Sequence, residues 1–143
     1  MSDFRRLADN IYVSQQLALD DIAAAADLGI SMIVNNRPDG EEPSAPQGDE
    51  IAAAAATAGL NYTAIPISHA GFSEPQVDAM IAAMEQAEGP ILAYCRSGTR
   101  STLLWALASA KQGEDPNAIA RTAAQAGYDV SPIRAMIDML AAR

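Results

Sequence analysis

The single cysteine of the chain, Cys95, stands in a run whose residue types suit nucleophilic chemistry: Ile91-Leu92-Ala93-Tyr94-Cys95-Arg96-Ser97-Gly98-Thr99-Arg100-Ser101. An apolar run of strand type ends, a tight loop follows, and a helix is expected after it, with the cysteine first in the loop. In such a loop the backbone N–H groups of Arg96, Ser97, Gly98 and Thr99 can converge on one point at a helix N-terminus, which makes an anion site. Gly98 permits the backbone conformation that the curl needs. Arg100 adds a planar, permanently charged fork suited to an oxyanion. The same field favours the thiolate of Cys95, which is the nucleophilic form. Nucleophile and anion cradle are one structure, with Cys95 and Arg100 as its catalytic pair. Ser101 reads as a helix cap whose hydroxyl is also placed to hydrogen-bond the sulfur.

Other candidates lie on loops expected at the same sheet edge. Arg37 and Asp39 sit in the long irregular segment Asn36–Gly48, which holds three prolines and two glycines. Arg37 is a candidate member of the anion site, and Asp39 a candidate acid or arginine-orienting group. Pro38-Asp39-Gly40 is also an ordinary turn sequence. His69 is the only histidine; it is a candidate for proton transfer, with a plain surface position as the simpler reading. One histidine and one cysteine do not make a metal ligand set, so neither metal nor cofactor is expected. There is no dinucleotide-type glycine pattern and no Gly-Lys-Ser/Thr loop.

The elements that must position these residues follow a threefold pattern of alanine-rich helix, glycine and β-prone run. It reads Asp20–Leu28, Gly29, Ile30–Asn35; then Asp49–Ala58, Gly59, Leu60–Ile67; then Glu74–Glu88, Gly89, Pro90–Tyr94. Each glycine suits the left-handed residue that ends a helix. The 30-residue spacing is the length of a βα unit, so three turns of an α/β fold are expected. An earlier strand is expected at Asn10–Ser14. In the third helix, Val77, Met80, Ile81 and Met84 form one buried stripe, and Ser73 with Gln76 reads as a capping box. After Tyr94 only helices are expected: Thr102–Lys111, one opened by Asp115-Pro116, and one opened by Ser131-Pro132 with Ile133, Met136, Ile137 and Leu140 facing the core. The fold class is therefore α/β: a mostly parallel sheet of four or five strands between helical layers, in a single domain spanning residues 1–143. Its ligand edge is the carboxyl end of the strands.

Composition narrows the partners. The net charge is −9, from 18 acidic and nine basic residues, which opposes general nucleic-acid binding. No apolar run approaches the ~20 residues of a membrane span, and the first residues lack a secretory pattern, so a cytoplasmic location is expected. One cysteine excludes an intramolecular disulfide. Thirty-one alanines favour helix and close packing.

The strand, cysteine loop, arginine and helix resemble the signature of cysteine-dependent phosphatases and of rhodanese-type sulfurtransferases. More closely, the chain resembles the beta-lactamase hydrolase-like protein, phosphatase-like domain family. The likeness rests on Ile11-Tyr12-Val13-Ser14-Gln15-Gln16, on Ile33-Val34-Asn35-Asn36-Arg37-Pro38-Asp39-Gly40-Glu41, and on Cys95–Ser101 running into Leu103-Leu104-Trp105. It implies a fold like that of dual-specificity and tyrosine phosphatases, and a place for Gln16 near the site.

The resemblance leaves the chemistry open between two reactions and a binding role. Tyrosine phosphatases place five residues between cysteine and arginine, usually with histidine before the cysteine; here there are four, after Tyr94. They also use an aspartate acid roughly thirty residues upstream, where this chain reads Ile67-Ser68-His69-Ala70-Gly71. Among rhodanese-like proteins a six-residue loop, such as Cys95–Arg100, goes with sulfur transfer and a seven-residue loop with phosphate. The reading preferred here is a thiosulfate sulfurtransferase-like enzyme working through a Cys95 persulfide, in a bowl cramped around a thiol open to substrate. Its partners are a small anionic sulfur donor and a small thiol acceptor. Through the resemblance, a persulfide-oxidising metalloenzyme is a further expected partner in sulfide metabolism. The alternatives are a cysteine-dependent phosphoric monoester hydrolase and a non-catalytic anion-binding domain.

Overall fold

The computed structural model describes residues 3–142. Five strands form one sheet: β1 (Arg5–Ala8), β2 (Ile11–Ser14), β3 (Met32–Asn35), β4 (Asn61–Ala64) and β5 (Ile91–Tyr94). Their order is β1-β2-β5-β3-β4, and only the β1–β2 pair is antiparallel. Six helices complete the chain: α1 (Leu19–Asp27), α2 (Gly48–Thr57), α3 (Glu74–Gln86), α4 (Thr99–Lys111), α5 (Pro116–Gln125) and α6 (Arg134–Ala141).

Strand periodicity of two divides the apolar residues between two cores. Met32 and Val34 of β3, with Ile91 and Ala93 of β5, pack toward α3, α4, α5 and α6. Ile33, Leu92 and Tyr94 point the other way, onto Ile22 and Ala25 of α1 and Ile51 and Ala55 of α2. This is the three-layer α/β arrangement the sequence predicts. Helix α4 is enclosed on every side, with Ser101–Ala110 all buried. Val77 and Met80 make the expected buried stripe of α3, and Ile137 and Leu140 that of α6. No helix among the described residues is long and apolar enough to cross a membrane.

Four local expectations are corrected. Strand β1 is additional: Arg5 and Arg6 are exposed on a sheet edge, so charge rather than alternation dominates its sequence. Helix α4 starts at Thr99, not Thr102, because Gly98 takes a left-handed φ of 91° and turns the chain straight into the helix. Gly89 is not a left-handed terminator; a Cβ there would lie 3.4 Å from the Ser31 side chain, so closeness to its neighbour favours the glycine. Ser131-Pro132 opens a 3₁₀ turn before α6 rather than capping it, and Asp129 Oδ1 accepts from the Ser131 amide at 2.9 Å.

Leu104 is fully enclosed, whereas Leu28 is 49% exposed at the end of α1. Leu104→Ala is expected to cost about 2–5 kcal/mol of stability through lost burial and the cavity left behind. Leu28→Ala should stay within about 0.5 kcal/mol. Urea unfolding followed by circular dichroism checks both.

Candidate active site

The parallel strands deliver their following segments to one edge. Ser14, Tyr94, Asn35 and Ala64 are register partners at the carboxyl ends of β2, β5, β3 and β4. The loops after them therefore meet: Gln15-Gln16, Cys95–Gly98, Asn36–Gln47 and residues 65–73.

The cysteine loop curls around its own sulfur. The Gly98 amide donates to Cys95 Sγ at 3.1 Å. The Gln16 amide donates to the Arg96 carbonyl at 3.2 Å, and Tyr128 Oη donates to the Ser97 carbonyl at 3.2 Å. These bonds hold two loop carbonyls on neighbours outside the curl. The side chains of Arg96, Ser97 and Thr99 are exposed, and Ser97 Oγ donates to Thr99 Oγ1 at 3.0 Å. Arg96 therefore meets the loop through its backbone. Cys95 is 1% exposed yet belongs to neither apolar cluster. The open thiol of the sequence reading is corrected to a sulfur enclosed by its loop.

Arg100 is held in place by other groups. Its Nη1 donates to Glu41 Oε2 and to the Ile67 carbonyl, both at 2.7 Å, and its Nη2 donates to Glu41 Oε1 at 2.9 Å. Of the five guanidinium N–H groups, these bonds leave Nε–H and one Nη2 hydrogen, with the Cys95 sulfur within hydrogen-bonding reach of the guanidinium. The Glu41 bonds foremost, and the nearby Cys95 sulfur in smaller measure, make the guanidinium hold its proton still more firmly.

Glu41 is the site residue that sequence reasoning missed. Arg37 Nε donates to its Oε1 at 2.8 Å, so one carboxylate joins two guanidinium groups. Hydrogen bonding from Arg100, opposed by burial and reinforced by Arg37, lowers its pKa to about 2. The signal available was Arg37 and Glu41 at a separation of four, but that spacing carries meaning on a helix, and this segment is a loop.

Arg37 is consequently corrected from anion ligand to support for Glu41. It is 8% exposed, and its Nη1 donates to Gln16 Oε1 at 2.9 Å and Glu42 Oε1 at 3.3 Å. Gln16 does come to this edge, through Arg37. Asp39 orients no arginine; its Oδ1 accepts from the Gly48 amide at 2.9 Å, tying the long loop to the start of α2. His69 is exposed on the loop that follows Ile67. Ser101 lies inside α4 and is no cap: its hydroxyl is fully buried and, like Asn36 Oδ1, finds no partner among the described residues. No three His, Cys, Asp or Glu side chains among the described residues converge as a metal site.

Comparison with known proteins supports this architecture. A 35% identical stretch of 108 residues is shared with a beta-lactamase hydrolase-like protein of Agrobacterium fabrum, covering 76% of this chain and 25% of that protein. The chain thus spans about a quarter of that relative's length. The solved structure of a candidate phosphatase from Neisseria meningitidis is 35% identical, with a TM-score of 0.84 over 95% of this chain and 96% of the other. Tk-PTP in its active form has a TM-score of 0.78 at 16% identity, covering 98% and 97% of the two chains, a likeness of fold. The fold is that of the cysteine-dependent phosphatases. Residues 3–112 match the model of one family, and the chain belongs to it: the beta-lactamase hydrolase-like protein, phosphatase-like domain family.

Proposed function

We propose that this chain, as a single domain, is a cysteine-dependent sulfurtransferase built on a phosphatase-like fold. The observation that carries the reading is the state of Glu41, the carboxylate brought to the cysteine loop. It is held ionised by Arg100 and Arg37, so near neutral pH it has no proton to give. Ester hydrolysis needs a positioned acid to protonate the leaving oxygen. Sulfite leaves a thiosulfate donor as an already stable anion and needs none.

The enclosure of Cys95 counts against the open thiol that this reading expects, and transfer requires the loop to admit a donor to Sγ. A phosphoryl group bonded to Sγ would have to place three oxygens within the loop. A sulfane sulfur presents one two-coordinate atom, while the sulfonate stays at the mouth near the spare Arg100 donors. The Cys95 thiolate attacks the outer sulfur of thiosulfate and a new S–S bond forms. The old S–S bond breaks, its electron pair departs with sulfite, and a Cys95 persulfide anion remains. An acceptor thiolate then attacks the outer persulfide sulfur, and Cys95 leaves as thiolate. The Gly98 amide, already 3.1 Å from Sγ, stabilises the charge that returns there. The acceptor's persulfide is the substrate a persulfide-oxidising metalloenzyme would consume.

A second reading, phosphoric monoester hydrolysis through a cysteinyl-phosphate, is the one the comparisons favour. The Neisseria meningitidis structure is described as a candidate phosphatase, and Tk-PTP shares the fold. Under that reading the loop must widen and the acid must come from elsewhere.

Two experiments follow. Incubation with thiosulfate is expected to add the mass of one sulfur atom to Cys95 and release one equivalent of sulfite, with further sulfite released as an added thiol regenerates Cys95; Cys95→Ser should do neither. Phenol release from an aryl phosphate, without the sulfur adduct, would instead establish the phosphatase. Glu41→Gln removes the charge but keeps a similar shape, and is expected to lower kcat/KM about tenfold through a loosened Arg100. The Glu41 carboxylate has a lower pKa folded than unfolded, so its stabilisation is present above about pH 4.5 and is lost as pH falls toward about 2. The melting-temperature gap between the native chain and Glu41→Gln should shrink across that window.

A further inference from the structure

Tyr128 reaches the cysteine loop from outside the stretch that defines the family, which ends at residue 112. Its position is built by several elements. Gly127, at a φ of 94°, ends the turn after α5, and the Tyr128 amide donates back to the Ala123 carbonyl at 2.9 Å. Arg5 of β1 lies over the ring, 5.4 Å from its centroid, and donates to the Ala126 carbonyl at 3.1 Å. Ring and guanidinium together hold the phenol against Gly98, where any Cβ would collide with the hydroxyl.

The hydroxyl donates to the Ser97 carbonyl. That carbonyl shares a peptide plane with the Gly98 N–H, and in a trans peptide the two point in opposite directions. Holding the Ser97 oxygen toward Tyr128 therefore aims the Gly98 N–H away from it, at Cys95 Sγ 3.1 Å distant. A flip of this plane would replace the N–H facing the sulfur with a carbonyl oxygen, which repels a thiolate. Glycine is the residue whose freedom makes such a flip accessible, so the loop needs an external hold here.

We propose that Tyr128 is a positioning residue that fixes the Ser97–Gly98 peptide and thereby sets the nucleophilicity of Cys95. The proposal rests on the reading of Cys95 as nucleophile and is independent of whether sulfur or phosphate is transferred. Arg100 is the charged side chain acting on Cys95, while Arg5 and Asp3 act on Tyr128. Burial first, and the Cys95 sulfur in smaller measure, raise the Tyr128 pKa, so the phenol is a neutral donor throughout the working range.

The test is the rate of Cys95 alkylation by iodoacetamide as a function of pH, in the full chain and in Tyr128→Phe. Tyr128→Phe keeps the ring and its Arg5 contact and removes only the hydroxyl. It is expected to move the midpoint of the profile upward by about half a unit or more and to slow alkylation at pH 7 about threefold to tenfold, the scale of one hydrogen bond. Its melting temperature should stay close to that of the native chain. Amide exchange at Gly98 should quicken in the same variant, reporting the released peptide directly. If the native chain shows activated alkylation and Tyr128→Phe gives the same profile and the same Gly98 exchange, Tyr128 is not a positioning residue, while Cys95 remains the nucleophile. An ordinary free-thiol profile in the native chain overturns both.

Discussion

The bond from the Gly98 amide to Cys95 Sγ closes the loop on its own sulfur at the end of a buried strand, and the rest of this site depends on that contact. β5 is covered on both faces, so Cys95 leaves the sheet with apolar layers on either side. Charge is tolerable there only where N–H groups face it. The left-handed turn at Gly98 satisfies this by bringing an amide to the sulfur and, in the same step, starting α4 with its N-terminus at the loop. A side chain at that position would be strained by the φ of 91° and would strike Tyr128.

The surrounding electrostatics explain how an acidic protein keeps an anion site. The chain carries a formal charge of −9, yet two of its eight arginines are drawn together by Glu41 beside the cysteine. A guanidinium without partners could swing toward any surface carboxylate. Arg100 is instead fixed by Glu41 on two nitrogens and by the Ile67 carbonyl. The carboxylate thereby serves as a support whose ionisation is part of its function. This excludes it from proton donation near neutral pH, and the same bonds that order the site also narrow the chemistry open to it.

The layers of this fold were legible because hydrophobic periodicity reports directly on burial. Val77 and Met80 on α3 and the uninterrupted Ile91–Tyr94 of β5 could have adopted few other arrangements. The place of the cysteine loop between β5 and α4 was legible because an apolar strand run ends at Cys95 and Gly98 suits the turn into a helix. Strand β1 was hidden because exposed edge residues carry no apolar alternation. Glu41 and Tyr128 were hidden more deeply. Both act on the loop across long sequence separations, 59 residues for Glu41 to Arg100 and 31 for Tyr128 to Ser97. Nothing local marks such partners. Asp39 shows the converse, a residue type suggestive of acid chemistry that serves a loop anchor.

The fold leaves the reaction open for a physical reason. The strand order and the cysteine-to-helix turn determine where Cys95 and its loop stand, and the fold that carries them is shared with Tk-PTP at 16% identity. What the nucleophile attacks is set by smaller features: the residues between Cys95 and Arg100, the proton content of the nearest carboxylate, and the seal around the sulfur. Under the proposed sulfur transfer, an enclosed sulfur beside an ionised Glu41 would meet a donor that brings one narrow atom and a leaving group needing no proton.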